Sequence, residues 1–291
     1  MSSILEPFRL QAARLAAFAS IARVRSCLAG GVATGIGGYL ATGRVLPTPG
    51  RAILAAAGVM LMIAFANVVN DIVDVDVDAT GKPSRPIPAG RLSRSAARSF
   101  ATGLAATAVV VTASLGPQLL GGTALLLLTS FTYSAWLKNT VLLGNVTVAA
   151  CASSPLLYGA AAVGRLNPPV WMATLLAFEF MLSYEVLKTM ADLTGDAAAG
   201  LRTLATATRR GTSARVFVAI VVALTGTVLA TTTISSHPVA YLTAAAPVLA
   251  APGWYVVYRL HAAIRDGQMW DLMQTMRRAW LLGMIALWMV R

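Results

Sequence analysis

Four of the eleven acidic residues in this chain, Asp71, Asp74, Asp76 and Asp78, fall within eight positions, and Asn67 and Asn70 stand just ahead of them. On a helix, Asn67, Asn70, Asp71, Asp74 and Asp78 share one face and Asp76 points the other way. A run of carboxylates is usually a solvated surface. This one continues an apolar stretch without a break, and no Lys or Arg is interleaved to neutralise it. A carboxylate near a membrane interior costs about 2.5–3.5 kcal/mol on insertion scales, and neighbouring carboxylates also repel one another. A bound cation relieves both costs. Hard oxygen donors suit magnesium, which keeps several waters and commonly bridges one or two carboxylates to a substrate phosphate.

A second cluster repeats the plan. Asp74 and Asp78, and again Asp192 and Asp196, form Asp-x-x-x-Asp, each followed by a glycine and a basic residue (Gly81-Lys82; Gly200 and Arg202). The likeness hints at an internal duplication. Glu185, Lys188, Asp192 and Asp196 share one helical face. Between the clusters, Pro83, Pro86 and Pro88 bar a helix over 81–90 and hold Lys82 and Arg85 beside the first carboxylates. Arg offers a planar fork for phosphate oxygens. The only three lysines, Lys82, Lys138 and Lys188, all adjoin these polar stretches. Asn145, inside an apolar stretch, needs a polar partner. Of Arg23 and Arg25, one is a candidate to turn inward to a phosphate. Two carboxylate pairs facing each other across a cavity would hold a diphosphate through magnesium, with Lys and Arg stabilising the charge that builds on the leaving group. An apolar cavity would house a hydrocarbon tail and shield a carbocation from water. Glu185 and the released pyrophosphate are the candidates for the proton acceptor.

The elements that must position these groups are membrane spans. The chain is 57% hydrophobic and 12% charged, against about 25% charged in soluble domains. Apolar stretches cover roughly 17–42, 50–73, 96–115, 118–136, 141–163, 168–187, 213–233, 238–258 and 273–290, each near the ~20 residues that cross a bilayer. The expected fold is therefore an all-α polytopic membrane protein with nine transmembrane helices and a cytoplasmic N-terminus. With that orientation, nineteen of the twenty-three Lys and Arg, Arg9 and Arg210 among them, lie on inner segments. Only Arg44, Arg51, Arg165 and Arg291 lie outside, and this asymmetry is the positive-inside pattern. It accounts for the net charge of +12 and argues against a nucleic-acid partner. Both acidic clusters then sit at cytoplasmic helix ends.

Residues 1–15 read as a short amphipathic helix and not as a cleaved leader. Gly31-x-x-x-Gly35 is a candidate for close helix approach. Cys27 and Cys151 give no disulfide framework, and His237 and His261 stand far apart. Trp254, Tyr255, Tyr258 and Trp270 read as an interfacial belt or as the wall of a lipid pocket.

Four motifs together resemble the UbiA superfamily of intramembrane prenyltransferases. They are Asn70-Asp71-x-x-Asp74-x-x-x-Asp78; the Arg85–Gly90 loop; Tyr133-Ser134…Leu137-Lys138 with Gly144-Asn145; and Asp192-x-x-x-Asp196 with Gly200-x-Arg202-Thr203-Leu204. The loop chemistry is most similar to the digeranylgeranylglyceryl-phosphate synthase and chlorophyll-synthase branches. The resemblance implies one domain over 1–291, with halves at about 17–136 and 141–258 and a last helix at 273–290. It implies nine helices around a central cavity that opens laterally to lipid. It further implies that Asn70, Asp71, Asp74, Asp78, Asp192 and Asp196 hold Mg2+ and a prenyl diphosphate, and that Lys82, Arg85, Lys138 and Arg202 contact phosphate. Asn67, Tyr133, Asn145 and Lys188 complete the expected substrate contacts. The chain departs from those branches at Thr189 and Ala191, where acids are common, and at Arg23-Val24-Arg25-Ser26, where Arg-Pro-x-Asn is common. These positions bear on the acceptor more than on the diphosphate.

The expected activity is transfer of a prenyl group from a polyprenyl diphosphate to a separate acceptor, aromatic or otherwise lipidic, in a bacterial or archaeal cell membrane. The alternative is a terpene cyclase on the same scaffold, in which an alkene of the same chain attacks the cation.

Overall fold

In a computed structural model, the nine apolar stretches are almost wholly helical, the first of them shared by two helices and the eighth interrupted by a π-helical segment, and no strand occurs among the described residues. These are residues 2–45 and 48–291, without the side chains of 2–10 and Arg210. Arg9 and Arg210, counted above among the inner charges, therefore lie outside the described side chains. By length and composition five helical runs could cross a membrane, Pro49–Val73, Arg94–Ala113, Pro168–Ala191, Gly211–Thr231 and Pro238–Asp266. A sixth is the bent pair Gln11–Ala22 and Val24–Thr42. The chain is an integral membrane protein on this evidence.

The chain divides into two compact units, Met1–Val32 with Ile53–Ala135, and Ala33–Ala52 with Trp136–Arg291. The first holds α1 (Ser2–Ala22), the start of α2 (Val24–Thr42), most of α3 (Pro49–Val73), α4 (Val75–Gly81), α5 (Arg94–Ala113) and α6 (Pro117–Ala135). Its core sets Ala17 and Ile21 of α1 against Val68 and Val69 of α3, Val75 of α4, Ile87 and Leu92 of the proline loop, and Ala97 and Ala101 of α5. Phe18 and Phe100 close it edge to face, with centroids 4.9 Å apart. This core fixes the acidic stretch. Its apolar residues Val68, Val69 and Val75 are buried in the cluster, and the carboxylates are left on the remaining face. Ile87 and Leu92 pin the loop, which forms successive turns as the prolines require. Ser93 caps α5 by accepting from the Ala96 N–H at 3.1 Å.

Two expectations change here. The first span is not one helix over 17–42. The N-terminal helix runs on past residue 15 to Ala22, and the chain bends by 52° before α2. Nor does the acidic run continue one helix. α3 ends at Val73, Asp74 breaks it with φ −84° and ψ 4°, and α4 carries Asp78.

The second unit holds the end of α2, α7 (Leu143–Ala162), α8 (Pro168–Ala191), the short α9 (Leu193–Ala198) and α10 (Leu204–Ala207), α11 (Arg210–Thr231), α12 (Pro238–Ala245), α13 (Ala251–Asp266) and α14 (Met269–Trp288). A π-helical segment, Ala246–Ala250, joins α12 to α13. Asn167 organises one end of this unit. Its side-chain oxygen caps α8 at the Val170 N–H, and its amide donates to the carbonyls of Leu40 and Ala41, all at 3.1 Å. Arg51 Nε donates to the Ala162 carbonyl at 2.8 Å.

Of the expected pair, Gly31 faces α3, where a Cβ would lie 3.0 Å from Met60 Sδ, but Gly35 makes no close contact, and the backbone-to-backbone approaches fall on other glycines. Nothing lies within 4 Å of a Cβ placed on Gly35. A Cβ on Gly37 would run into the Leu156 carbonyl oxygen of α7, and one on Gly159 of α7 into that of Thr34. Backbone obstructs both positions, so no side chain can move aside. Gly37→Ala and Gly159→Ala should each cost roughly 1–3 kcal/mol or more, and Gly35→Ala should be neutral or stabilising, since a helical glycine costs up to about 1 kcal/mol relative to alanine. Thermal unfolding of the three variants in detergent checks this; equal midpoints would refute it.

Candidate functional site

The first cluster is built by α3, the break at Asp74 and the proline loop. Asp71, Asp74 and Asp78 are only 5, 8 and 4% exposed, whereas the Asp76 side chain is 85% exposed. The helical-wheel division therefore survives the break. Asp74 lies in the bridge region between helical and extended backbone. Its N–H still reaches the Asn70 carbonyl at 2.9 Å, and the Asp78 N–H reaches the Asp74 carbonyl at 2.7 Å. The axis turns, and the two carboxylates stay one turn apart.

Asp71 is compensated from two directions. Arg23 Nη2 donates to Asp71 Oδ1 at 2.6 Å, and Arg85 Nη1 donates to the same oxygen at 3.0 Å. Arg85 also pairs with Asp78. Asn70 Nδ2 donates to Asp74 Oδ2 at 2.9 Å. The exposed Asp76 pairs with Arg94 at 2.5 Å. Pairs of this kind are charge-assisted and geometrically specific. Removing one partner of a buried pair costs about 3–5 kcal/mol, because the other charge is left uncompensated.

Of the two arginines the sequence offered, Arg23 turns inward and Arg25 is exposed. Arg23 is the one non-glycine residue with positive φ among the described residues, at 53°. Asn67 secures it. The Asn67 oxygen accepts from Arg23 Nη1 at 3.1 Å, and its amide donates to the Ala22 carbonyl at 3.0 Å and to Ser26 Oγ at 3.1 Å. Asn67, expected to touch substrate, thus clasps the joint between α1 and α2. Lys82 is exposed, and Arg85 occupies the place beside the carboxylates that the loop was expected to give both. Tyr133, half-buried on α6, belongs to the same unit.

The second cluster lies in the other unit. α8 breaks at Asp192 with φ −87° and ψ 3°, and Asp196 follows on α9. The Asp192 N–H bonds the Lys188 carbonyl at 2.9 Å, and the Asp196 N–H bonds the Asp192 carbonyl at 2.8 Å. These are the conformation and bonds found at Asp74 and Asp78. Lys188 Nζ lies 3.4 Å from Glu185 Oε2, on a carboxylate whose side chain is 8% exposed. Burial first, then the Asp192 charge, push the Asp196 carboxyl above the usual aspartate range; the Thr203 hydroxyl, Lys138 and Lys188 pull it down.

The loops bearing Lys138 and Arg202 are tied by Asn139, whose side-chain oxygen accepts the Arg202 backbone N–H at 2.6 Å. The Arg202 side chain itself is exposed. A 3-10 turn, Leu137–Asn139, presents the half-buried Lys138, and Thr140 Oγ1 caps the start of α7 by accepting from the Gly144 N–H at 2.9 Å. Gly144 is obligatory, because a Cβ there would lie 2.7 Å from the Leu137 carbonyl oxygen. Asn145 is buried on α7. No separate role was expected of Asn139 or Thr203, although each directly follows a candidate phosphate contact, Lys138 and Arg202.

Every titratable donor in both clusters is a carboxylate. Among the described residues no three His, Cys, Asp or Glu side chains converge tightly enough to hold one ion by themselves. An all-oxygen set giving one or two ligands at a time fits magnesium, whose remaining positions go to water and phosphate, and does not fit a metal caged wholly by protein.

The UbiA prenyltransferase family model matches residues 31–283. Digeranylgeranylglyceryl phosphate synthase of Methanopyrus kandleri is 38% identical over 208 residues, 72% of this chain and 75% of that protein. The enzyme of the same name from Thermococcus kodakarensis is 37% identical over 190 residues, 65% of this chain and 67% of its own. Among solved structures, a UbiA homologue from Aeropyrum pernix K1 in its apo form has a TM-score of 0.72 at 16% identity, covering 92% of this chain and 96% of that one. A UbiA homologue from Archaeoglobus fulgidus bound to GPP and Mg2+ has a TM-score of 0.70 at 14% identity, covering 92% and 99%. At such identities the structures speak for the fold, while the family model and the curated relatives speak for descent. The chain belongs to the UbiA prenyltransferase family.

Proposed function

We propose that this enzyme transfers a prenyl group from a prenyl diphosphate to the hydroxyl of a lipidic acceptor, with the diphosphate held at the carboxylates of both Asp-x-x-x-Asp motifs on the cytoplasmic side of the membrane. The observation that carries the reading is the set of three buried carboxylates, Asp71, Asp74 and Asp78, with Arg85 bridging the first and last. Such a group of like charges beside an apolar span serves little purpose except to hold cations against a polyanion. The names of the curated relatives point to a glyceryl phosphate bearing a prenyl chain as the acceptor class, and the homologue that carries GPP and Mg2+ points to the donor and the metal.

Asn70, Asp71, Asp74 and Asp78, with Asp192 and Asp196, would hold Mg2+. The bound ion would supply electrostatic stabilisation of the departing diphosphate. Arg85, Lys138 and Lys188 orient the diphosphate oxygens and offset the charge that grows on them. The allylic C–O bond breaks and its electron pair leaves with the diphosphate. The acceptor oxygen then forms the new bond to the allylic carbon and gives up its proton. Glu185, buried beside Lys188, and the freed pyrophosphate are the candidates to receive it. The apolar helices around the reacting carbon exclude water from the cation.

Asp71→Ala and Asp192→Ala should each lower turnover by at least about 10²-fold, on the scale of removing an electrostatic contact to a transition state. Radiolabelled prenyl transfer in nanodiscs, with a prenylglyceryl phosphate as acceptor, measures this. Activity within twofold of the parent would refute the site. A cyclic hydrocarbon formed from the diphosphate alone would replace transfer by cyclisation.

The raised Asp196 carboxyl makes a separate prediction. The folded chain holds that proton more tightly than the unfolded chain does, so ionisation costs stability as pH rises through the folded value and costs nothing below about pH 4. In chelator, Asp196→Asn should unfold at a higher temperature than the parent at pH 7, and the difference should vanish as the pH falls toward 4. A difference that grows on acidification would contradict the assigned environment.

A further inference from the structure

Arg23 holds its position under constraint. Its φ of 53° lies where glycine is at ease and an arginine is not, and such backbone persists only when its surroundings over-determine it. Apolar packing of Ile21, Ala22 and Cys27 seats the joint, and the contacts to Arg23 itself are polar and specific. Asn67 grips the joint through the Ala22 carbonyl, Ser26 Oγ and the guanidinium itself, and Ser26 Oγ donates back to the Arg23 carbonyl at 2.8 Å. The outcome is one contact: Arg23 Nη2 at 2.6 Å from Asp71 Oδ1. Arg85 Nη1 shares that oxygen at 3.0 Å.

A magnesium ion bonds a carboxylate oxygen at about 2.1 Å. On Asp71 Oδ1 it would stand against two guanidinium charges in a partly desolvated site, where like charges repel far more strongly than in water. Bare metal on that oxygen would therefore displace an arginine. Arg85 keeps Asp78 as a second anchor, so Arg23, 39% exposed, is the one that yields. A metal arriving with a diphosphate is different, because the diphosphate's negative charge outweighs that of one divalent ion. The guanidinium can exchange one anion for another and keep its hydrogen bonds.

Resting on the diphosphate-binding reading above, we propose that Arg23 shields Asp71 from bare divalent metal, yields it to metal that arrives with a diphosphate, and then transfers its guanidinium to that diphosphate. Metal and diphosphate thereby enter together.

The test is Mn2+ binding followed by electron paramagnetic resonance on the full chain in nanodiscs, alone and with inorganic pyrophosphate. The parent, Arg23→Gln, Arg23→Lys and Arg25→Gln are compared. Arg23→Gln should bind Mn2+ alone about tenfold more tightly than the parent, and Mn2+ with pyrophosphate about tenfold more weakly, the scale of one charge-assisted contact. Arg23→Lys, which keeps the charge without the fork, should fall between, and covers the case in which the glutamine variant does not fold. Arg25→Gln, two residues away and exposed, should match the parent. Equal affinities for Mn2+ alone in parent and Arg23 variants overturn the proposal, as does an equal shift in Arg25→Gln, which would assign the effect to general surface charge. If no chain binds Mn2+ with or without pyrophosphate, the diphosphate-binding reading itself falls, and this inference with it.

Discussion

The structure of the first unit depends on the burial of the Asp71 carboxylate at the end of an apolar helix. Its cost is the desolvation of a charge, which only close, well-oriented partners offset. Arg23 comes from the joint between α1 and α2, and Arg85 from the proline loop. Much of the surrounding architecture keeps these two in place. Ala17, Ile21 and Phe18 seat α1, Ile87 and Leu92 seat the loop, and all pack on the apolar residues that alternate with the carboxylates. Apolar packing and ionic compensation here act on the same few elements.

The breaks at Asp74 and Asp192 share one solution to a geometric problem. A straight helix carries residues four apart along a rising row. A single bridge-region residue turns the axis and leaves the i to i−4 hydrogen bonds on either side intact, as the bonds at Asp74, Asp78, Asp192 and Asp196 show. The second carboxylate of each motif is redirected at small cost in backbone pairing. Matching dihedrals at two distant places, φ −84° with ψ 4° and φ −87° with ψ 3°, give the repeated sequence motif a repeated shape.

Seven of the nine apolar stretches made their helices legible to within a few residues, because burial of backbone polar groups in lipid leaves little else possible; the first is divided at Arg23 and the eighth runs on to Asp266. Asp76 was separable from its neighbours by periodicity alone, since Val75 on the same turn anchors it to the core. The break at Asp74 was not legible. Aspartate is no helix breaker within a strong apolar context, and the turn arises from the packing of Val75 against Ile87 and Leu92 of a loop well downstream. Arg23 and Arg25 were indistinguishable in sequence; only the 52° bend at the joint decides which faces Asp71. The glycines divide in the same way. Gly31-x-x-x-Gly35 has the spacing for helix contact, yet only Gly31 meets a neighbour, the Met60 side chain, and Gly37 is the residue that meets the Leu156 carbonyl, since spacing does not fix which face turns toward a partner.

Burial alone does not make a carboxylate part of the site. Glu179 lies in the middle of α8, thirteen residues before Asp192 and so about 20 Å along the axis. Its Oε1 accepts from Thr227 Oγ1 of α11 at 3.1 Å, and its Oε2 is buried without a hydrogen bond among the described residues. A hydroxyl meets such a group half-way, as between two packed membrane helices. Asp71 meets two guanidinium groups and lies within a few residues of two further carboxylates. Charges collected and countered in one place can be exchanged for a ligand's charges without first being desolvated. Glu179 has no such countercharge among the described residues, and its hydrogen bond to Thr227 links α8 to α11.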